Sequence, residues 1–74
     1  MKIKYYQETD SLYIDLSDHT SVETREISDG VNLDYDESDT LVGIDIDLAS
    51  RKLDLSRLEL GSLPEATQIL QTTE

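Results

Sequence analysis

Seventy-four residues without a cysteine make a single domain that cannot use disulfides, and a chain this short buries only about 60% of the surface it exposes when unfolded, so its own core is marginal. Seventeen acidic against six basic side chains give a net charge of −11, which repels phosphate backbones and anionic membranes. No nucleic acid or membrane partner is therefore expected, and the charge serves solubility, a basic protein partner or a cation.

Met1-Lys-Ile-Lys runs into Tyr-Tyr-Gln-Glu rather than an apolar stretch, and nothing approaches the ~20 apolar residues of a membrane span. With the absent cysteines, this leads us to expect a cytoplasmic protein. Residues 2–6 alternate with Ile3 and Tyr5 on one side and predict a first strand, followed by a polar loop, Gln7-Glu8-Thr9-Asp10-Ser11. Leu12, Ile14 and Leu16 alternate with Tyr13, Asp15 and Ser17, a second strand that pairs with the first so that Tyr5 faces Leu12. After a turn at Ser17-Asp18-His19-Thr20 comes a third strand over 21–27. It is irregular, because Val22 and Ile27 stand five apart and share a face only if a bulge falls near Thr24 or Arg25. Ser28-Asp29-Gly30 predicts a three-residue hairpin loop, with Gly30 at positive φ and Ile27 opposite Val31.

The clearest pattern follows. Val31, Leu33 and Tyr35 alternate with Asn32, Asp34 and Asp36, and then Val42, Ile44, Ile46 and Leu48 alternate with Gly43, Asp45 and Asp47. Two strands with one apolar and one acidic face result. Joining Tyr35 to Val42 on a common face requires an even loop, Asp36 to Asp39, and the last residue of such a loop tends to be left-handed, at a cost of about 1 kcal/mol for Asp39.

From Ala49 the period changes. Ser50-Arg51-Lys52-Leu53 fits one helical turn, and Leu58-Glu59-Leu60 fits a short strand or a second helical turn equally. Ser62-Leu63-Pro64-Glu65 matches a capping box and predicts a helix from Pro64 to about Gln71, with Ala66, Ile69 and Leu70 on its apolar stripe; Thr72 onward should fray.

Asp34-x-Asp36-x-Ser38, with Asp45 eleven positions after Asp34, mimics the ligand spacing of an EF-hand loop. Asp39 stands where that loop needs glycine, Asp45 where it needs a bidentate Glu, and strands replace the flanking helices. A solvated acidic hairpin tip is the simpler reading. His19 has Ser17, Asp18 and Ser21 beside it, but neighbours along one turn do not make a triad, so it reads as a surface residue. Gly30, Gly43 and Gly61 stand alone and form no phosphate loop, and the many carboxylates lack a cleft in which two could face a substrate. No catalytic, cofactor-binding or metal-ligating residue is singled out, and no enzyme activity is expected. Tyr5 and Tyr35 read as core, with their hydroxyls reaching the rim, whereas Tyr6 and Tyr13 point outward and are candidates for contact.

The pieces D10-S-L-Y-I14, D29-G-V-N-L-D-Y-D36, L41-V-G-I44 and A49-S-R-K-L53, in that order and spacing over about residues 2–60, resemble the small prokaryotic family called domain of unknown function 2283. Tyr6 replaces the Asp that usually follows the family's first Tyr, and Asp39 replaces a Gly in the hairpin tip. The resemblance implies no assigned activity and no catalytic residues. It does imply a gene layout beside another small protein, similar to toxin-antitoxin pairs, in which an acidic chain would suit a basic toxin.

The expected fold is mainly β (α+β): a five-stranded antiparallel β-meander over about 2–48, with a C-terminal segment over 49–72, including one or two short helices, covering one face. If strand order follows chain order, the fifth and most apolar strand is an edge. An open apolar edge predicts a homodimer built on that strand and the leucines after it. The expected role is a non-catalytic, self-associating interaction module, with an antitoxin-like acidic partner of a basic toxin protein as the alternative.

Overall fold

A computed structural model, describing residues 1–64, shows five strands in one antiparallel sheet: β1 (Lys2–Tyr6), β2 (Ser11–Asp15), β3 (Glu23–Ser28), β4 (Val31–Tyr35) and β5 (Leu41–Ile46). One helical turn follows, α1 (Ala49–Lys52). The mainly β class is the expected one, and Tyr5 does pair with Leu12. The order across the sheet, however, is β1-β2-β5-β4-β3. The last three strands form a meander, and the β1–β2 hairpin docks on the free side of β5.

This corrects the expectation of sequential order. β5 is the centre of the sheet, where the most apolar strand gains from neighbours on both sides, and its backbone offers no open edge. The edges are β1, with Lys2 and Lys4, and β3, with Glu23, Arg25 and Glu26, and charged edges of this kind resist further strand pairing.

Register lines up two apolar rows across the sheet. Ile3, Ile14, Ile44, Leu33 and Arg25 form one, and Tyr5, Leu12, Ile46, Val31 and Ser28 the other. The opposite face carries Lys4, Tyr13, Asp45, Asn32 and Glu26, then Lys2, Asp15, Gly43, Asp34 and Thr24.

Two irregularities fall elsewhere than expected. The β3 bulge lies between Glu26 and Ser28, so Ser28 and not Ile27 pairs with Val31, and Ile27 is left exposed. Gly30 is left-handed as expected, with φ 74°. At the next hairpin Tyr35 pairs with Leu41 and Asp34 with Gly43, leaving Val42 unmatched on β4. The connection is thus five residues rather than four. One bulged residue restores the parity that keeps Leu33 and Ile44 on a common face.

The odd loop has a local cause. Asp36 Oδ1 accepts the backbone N–H groups of Ser38 and Thr40, each at 2.9 Å, while Asp39 takes the left-handed conformation at φ 63°. The four-residue loop with a left-handed last residue occurs instead at Gln7 to Asp10, where Asp10 has φ 53°.

Leu48, also left-handed, precedes α1 and supplies no side-chain cap. Asp10 caps the turn from across the fold. Its backbone carbonyl accepts the Ala49 N–H at 2.8 Å, and its carboxylate accepts the Ser50 N–H at 3.0 Å and the Ser50 hydroxyl at 2.6 Å. The helix expected from Pro64 to Gln71 lies beyond Pro64 outside the described residues.

Candidate functional site

On the acidic face, side chains link four strands. Tyr13 of β2 crosses Gly43 of β5, and its hydroxyl donates to Asp34 Oδ2 of β4 at 2.8 Å. Thr24 of β3 donates to Asp34 Oδ1 at 2.6 Å. Gly43 is what permits the crossing, since a Cβ there would collide with the Tyr13 hydroxyl and lie 2.7 Å from its Cζ. Burial first, and the Asp34 carboxylate second, push the Tyr13 phenol up to about 12. Burial beside Asp47 and Asp34 likewise raises the Asp45 carboxyl. Tyr13, an outward contact candidate on sequence, is held within the sheet, whereas Tyr6 is half exposed.

At the hairpin tip, Asp36 is buried and its Oδ2 lies 3.0 Å from Nδ1 of the exposed His19. The Thr40 N–H first, and His19 after it, hold the Asp36 carboxyl below the usual range. A cavity of about 480 Å³ opens here, between the 18–20 turn with Val22 and the 36–38 tip. His19 is a surface residue, as its sequence neighbours suggest, but its carboxylate partner comes from another hairpin and has no local sequence signal. Among the described residues no hydroxyl is hydrogen-bonded to the other ring nitrogen of His19, so the geometry assembles no triad. The EF-hand spacing also comes apart: Asp34 serves Tyr13 and Thr24, Asp36 serves its own turn and His19, and no three metal-ligating side chains converge among the described residues.

Asp10 is a second such residue. Its Oδ1 accepts the Tyr5 hydroxyl at 2.8 Å, and together the Ser50 hydroxyl, first, and Tyr5 lower its pKa. Spacing gave no hint of this, since Ser50 lies forty positions away. The Tyr5 hydroxyl thus reaches the rim as expected, while its side chain is more exposed, at 44%, than a core residue. Tyr35 stays on the apolar face, where the Arg25 guanidinium lies 4.1 Å from its ring centroid and also pairs with Glu23 and Asp39.

The apolar face is only partly covered among the described residues. Among the described residues Val42 and Ala49 are the buried apolar side chains, and no large side chain is fully buried. Ile3 is 42% exposed, and Leu12, Ile14, Val31, Leu33, Ile44 and Ile46 are part-exposed. The leucines expected to cover this face, Leu53, Leu55, Leu58, Leu60 and Leu63, are themselves 37 to 61% exposed.

The family model described as "Protein of unknown function (DUF2283)" matches residues 2–50, from β1 to the first residues of α1. The chain belongs to the DUF2283 family. The match ends ten residues short of the expected limit, so the leucine segment lies beyond it. No curated protein matches the chain, and no solved structure does. The DUF2283 sheet, with Asp10 and Ser50 brought together at its end, is therefore the matched unit. Among the described residues no helix is long and apolar enough to cross a membrane.

Proposed function

We propose that this DUF2283 protein is a non-catalytic interaction module that self-associates through the apolar face of its sheet. The supporting observation is that, among the described residues, no second layer of helix or sheet packs on this face. A sheet with one apolar face needs a partner layer to bury it, and here the rows through Ile14 and Ile44 remain part-exposed. Association by face also agrees with the charged edges β1 and β3, which disfavour strand addition.

Sedimentation velocity of the full chain across micromolar concentrations tests this reading. A dimer is expected, and a mass of 8.4 kDa throughout would refute it. A second reading, an acidic partner of a basic protein in the manner of an antitoxin, is motivated by the thirteen acidic and three basic side chains of residues 1–48. Co-expression with the protein encoded beside it tests that reading. A salt-sensitive complex with a basic neighbour supports it, and two separately eluting proteins refute it.

A further inference from the structure

We propose that Asp29-Gly30, in the turn between β3 and β4, is a site of spontaneous isoaspartate formation, and that this change loosens the hairpin from the end of β5. The inference goes beyond the self-association proposed above and does not depend on it.

Among the ten aspartates of the chain, Asp29 alone is followed by glycine. The missing Cβ leaves the glycine nitrogen unhindered for attack on the aspartyl side chain, which makes this dipeptide the most reactive of the ten on covalent grounds. The structure sets it apart a second time. Asp29 is exposed in the turn, and among the described residues neither its carboxylate nor the Gly30 N–H makes a hydrogen bond. By contrast, Asp10, Asp34, Asp36, Asp39, Asp47 and Asp54 hold their carboxylates in hydrogen bonds. Asp15 and Asp45 are fixed within strands, and the N–H after Asp18 lies 3.4 Å from Ser17 Oγ.

The glycine itself is demanded by the turn. Gly30 has φ 74°, and a Cβ there would lie 2.6 Å from Lys52 Nζ and 3.3 Å from Asp47 Cβ. The reactive pair is therefore tied to the fold.

The chemistry needs only solvent water. The Gly30 nitrogen bonds to Asp29 Cγ, and a carboxyl oxygen leaves as water with the amide proton and the carboxyl proton, closing a cyclic imide. Water then adds to either imide carbonyl and breaks its bond to nitrogen. Opening at Cγ restores aspartate; opening at the main-chain carbonyl leaves isoaspartate, whose backbone runs through Cβ and Cγ.

One methylene is thereby added to the main chain beside a carbonyl that fastens the hairpin. The Gly30 carbonyl accepts the Asp47 N–H at 2.7 Å, and Lys52 donates to the Asp47 carbonyl next to it. Lengthening the chain at residue 29 draws the Gly30 carbonyl off this contact, whose strength depends steeply on geometry.

The test incubates the full chain for weeks at neutral pH in water enriched in heavy oxygen, then digests it with a protease that cleaves before aspartate but not before isoaspartate. Each ring opening takes up one heavy oxygen, even where aspartate is restored. Isoaspartate is expected at position 29, with uptake there about tenfold faster than at any other aspartate. Asp29→Glu should abolish it, since the longer side chain closes the ring far more slowly, and Asp29→Asn, which expels ammonia more readily than water, should react faster. Circular dichroism confirms that both variants are folded. Uptake spread evenly over the aspartates, or an Asp29→Asn chain that keeps its ammonia, overturns the proposal. So does a native rate equal to the rate in urea multiplied by the unfolded fraction, because the turn itself would then be closed to the reaction. In the isomerised chain, isolated by reversed-phase chromatography, the Asp47 amide should exchange with solvent about tenfold faster, as expected for one lost hydrogen bond. An unchanged exchange rate there overturns the loosening.

Discussion

The two faces of this sheet share one backbone and differ in what completes them. On the acidic side, Tyr13, Asp34 and Thr24 form a chain of hydrogen bonds that passes over Gly43 and so spans four strands within one molecule. On the apolar side, Ile3, Ile14, Ile44 and Leu33 line up just as regularly and, among the described residues, remain part-exposed. Hydrogen bonds are directional and pairwise, so a single layer can satisfy its own polar groups with help from water. Apolar surface has no such local solution and requires a second layer.

The sharpest way to break this contrast is at Gly43. We expect Gly43→Ala to cost about 2 kcal/mol, because the new Cβ displaces Tyr13 and its bond to Asp34. In a Tyr13→Ala background the same change should stabilise by about 0.5 kcal/mol, since alanine suits a strand better than glycine. Urea midpoints of the four proteins would show the reversal, and equal costs in both backgrounds would mean that Tyr13 does not cross Gly43.

A smaller loss is expected for Asp36→Ala, which strips the tip of the acceptor for Ser38 and Thr40, with Asp36→Asn recovering part of it. The Asp36 carboxyl is held below its ordinary value of 3.8. Its charge therefore stabilises the fold above that pH, and the benefit is lost as pH falls through the lower folded value. The gap between wild type and Asp36→Asn should accordingly close in strong acid.

Tyr13 makes a titration of opposite sign. With its phenol raised from 10 to about 12, the native state keeps its proton longer than the unfolded chain. The stabilisation is whole below pH 10 and disappears as pH rises to about 12, a loss of about 1 kcal/mol after allowing for partial exposure to water. Tyrosinate absorbance should show one late-titrating phenol that Tyr13→Phe removes.

The smallest effect is expected at Asp39. Relieving φ 63° by Asp39→Gly should raise stability by about 0.5 kcal/mol, the gain being limited by the lost contact with Arg25 and the greater freedom of unfolded glycine. A lower thermal midpoint would show that the Arg25 contact outweighs the strain.

Much of the fold was legible because alternation is a local signal. Period two defined the strands, separated Leu33 and Ile44 from Asp34 and Asp45, and with the turn residues placed Gly30 and Asp39 at positive φ. Strand order was less accessible, since nothing near Leu12 says that Ile46 is its partner. The apolar richness of β5 fits a central strand as well as a sticky edge, and only the pairing with β2 decides between them. The bulge at Val42 escaped because parity allows either an even loop or an odd loop with one extra residue. Asp36-x-Ser38-x-Thr40, which decides between them, is readable in hindsight as a side-chain-capped turn. Tyr13 with Asp34, His19 with Asp36 and Asp10 with Ser50 were not legible, because each joins residues that only the finished sheet brings together.

The seam between β2 and β5 also has a kinetic meaning. Leu12 meets Ile46 and Ile14 meets Ile44 across the longest sequence separations in the sheet, whereas β3, β4 and β5 are joined by short turns. Local hairpins close quickly, and distant pairings wait on the entropy of a long loop. The C-terminal meander should therefore assemble as an early unit, with the N-terminal hairpin docking afterwards and detaching first. In native-state hydrogen exchange the amides of β1 should then open together at lower free energy than those shared by β4 and β5. Asp10, which fastens the N-terminal hairpin to Ala49 and Ser50, becomes the latch on that opening.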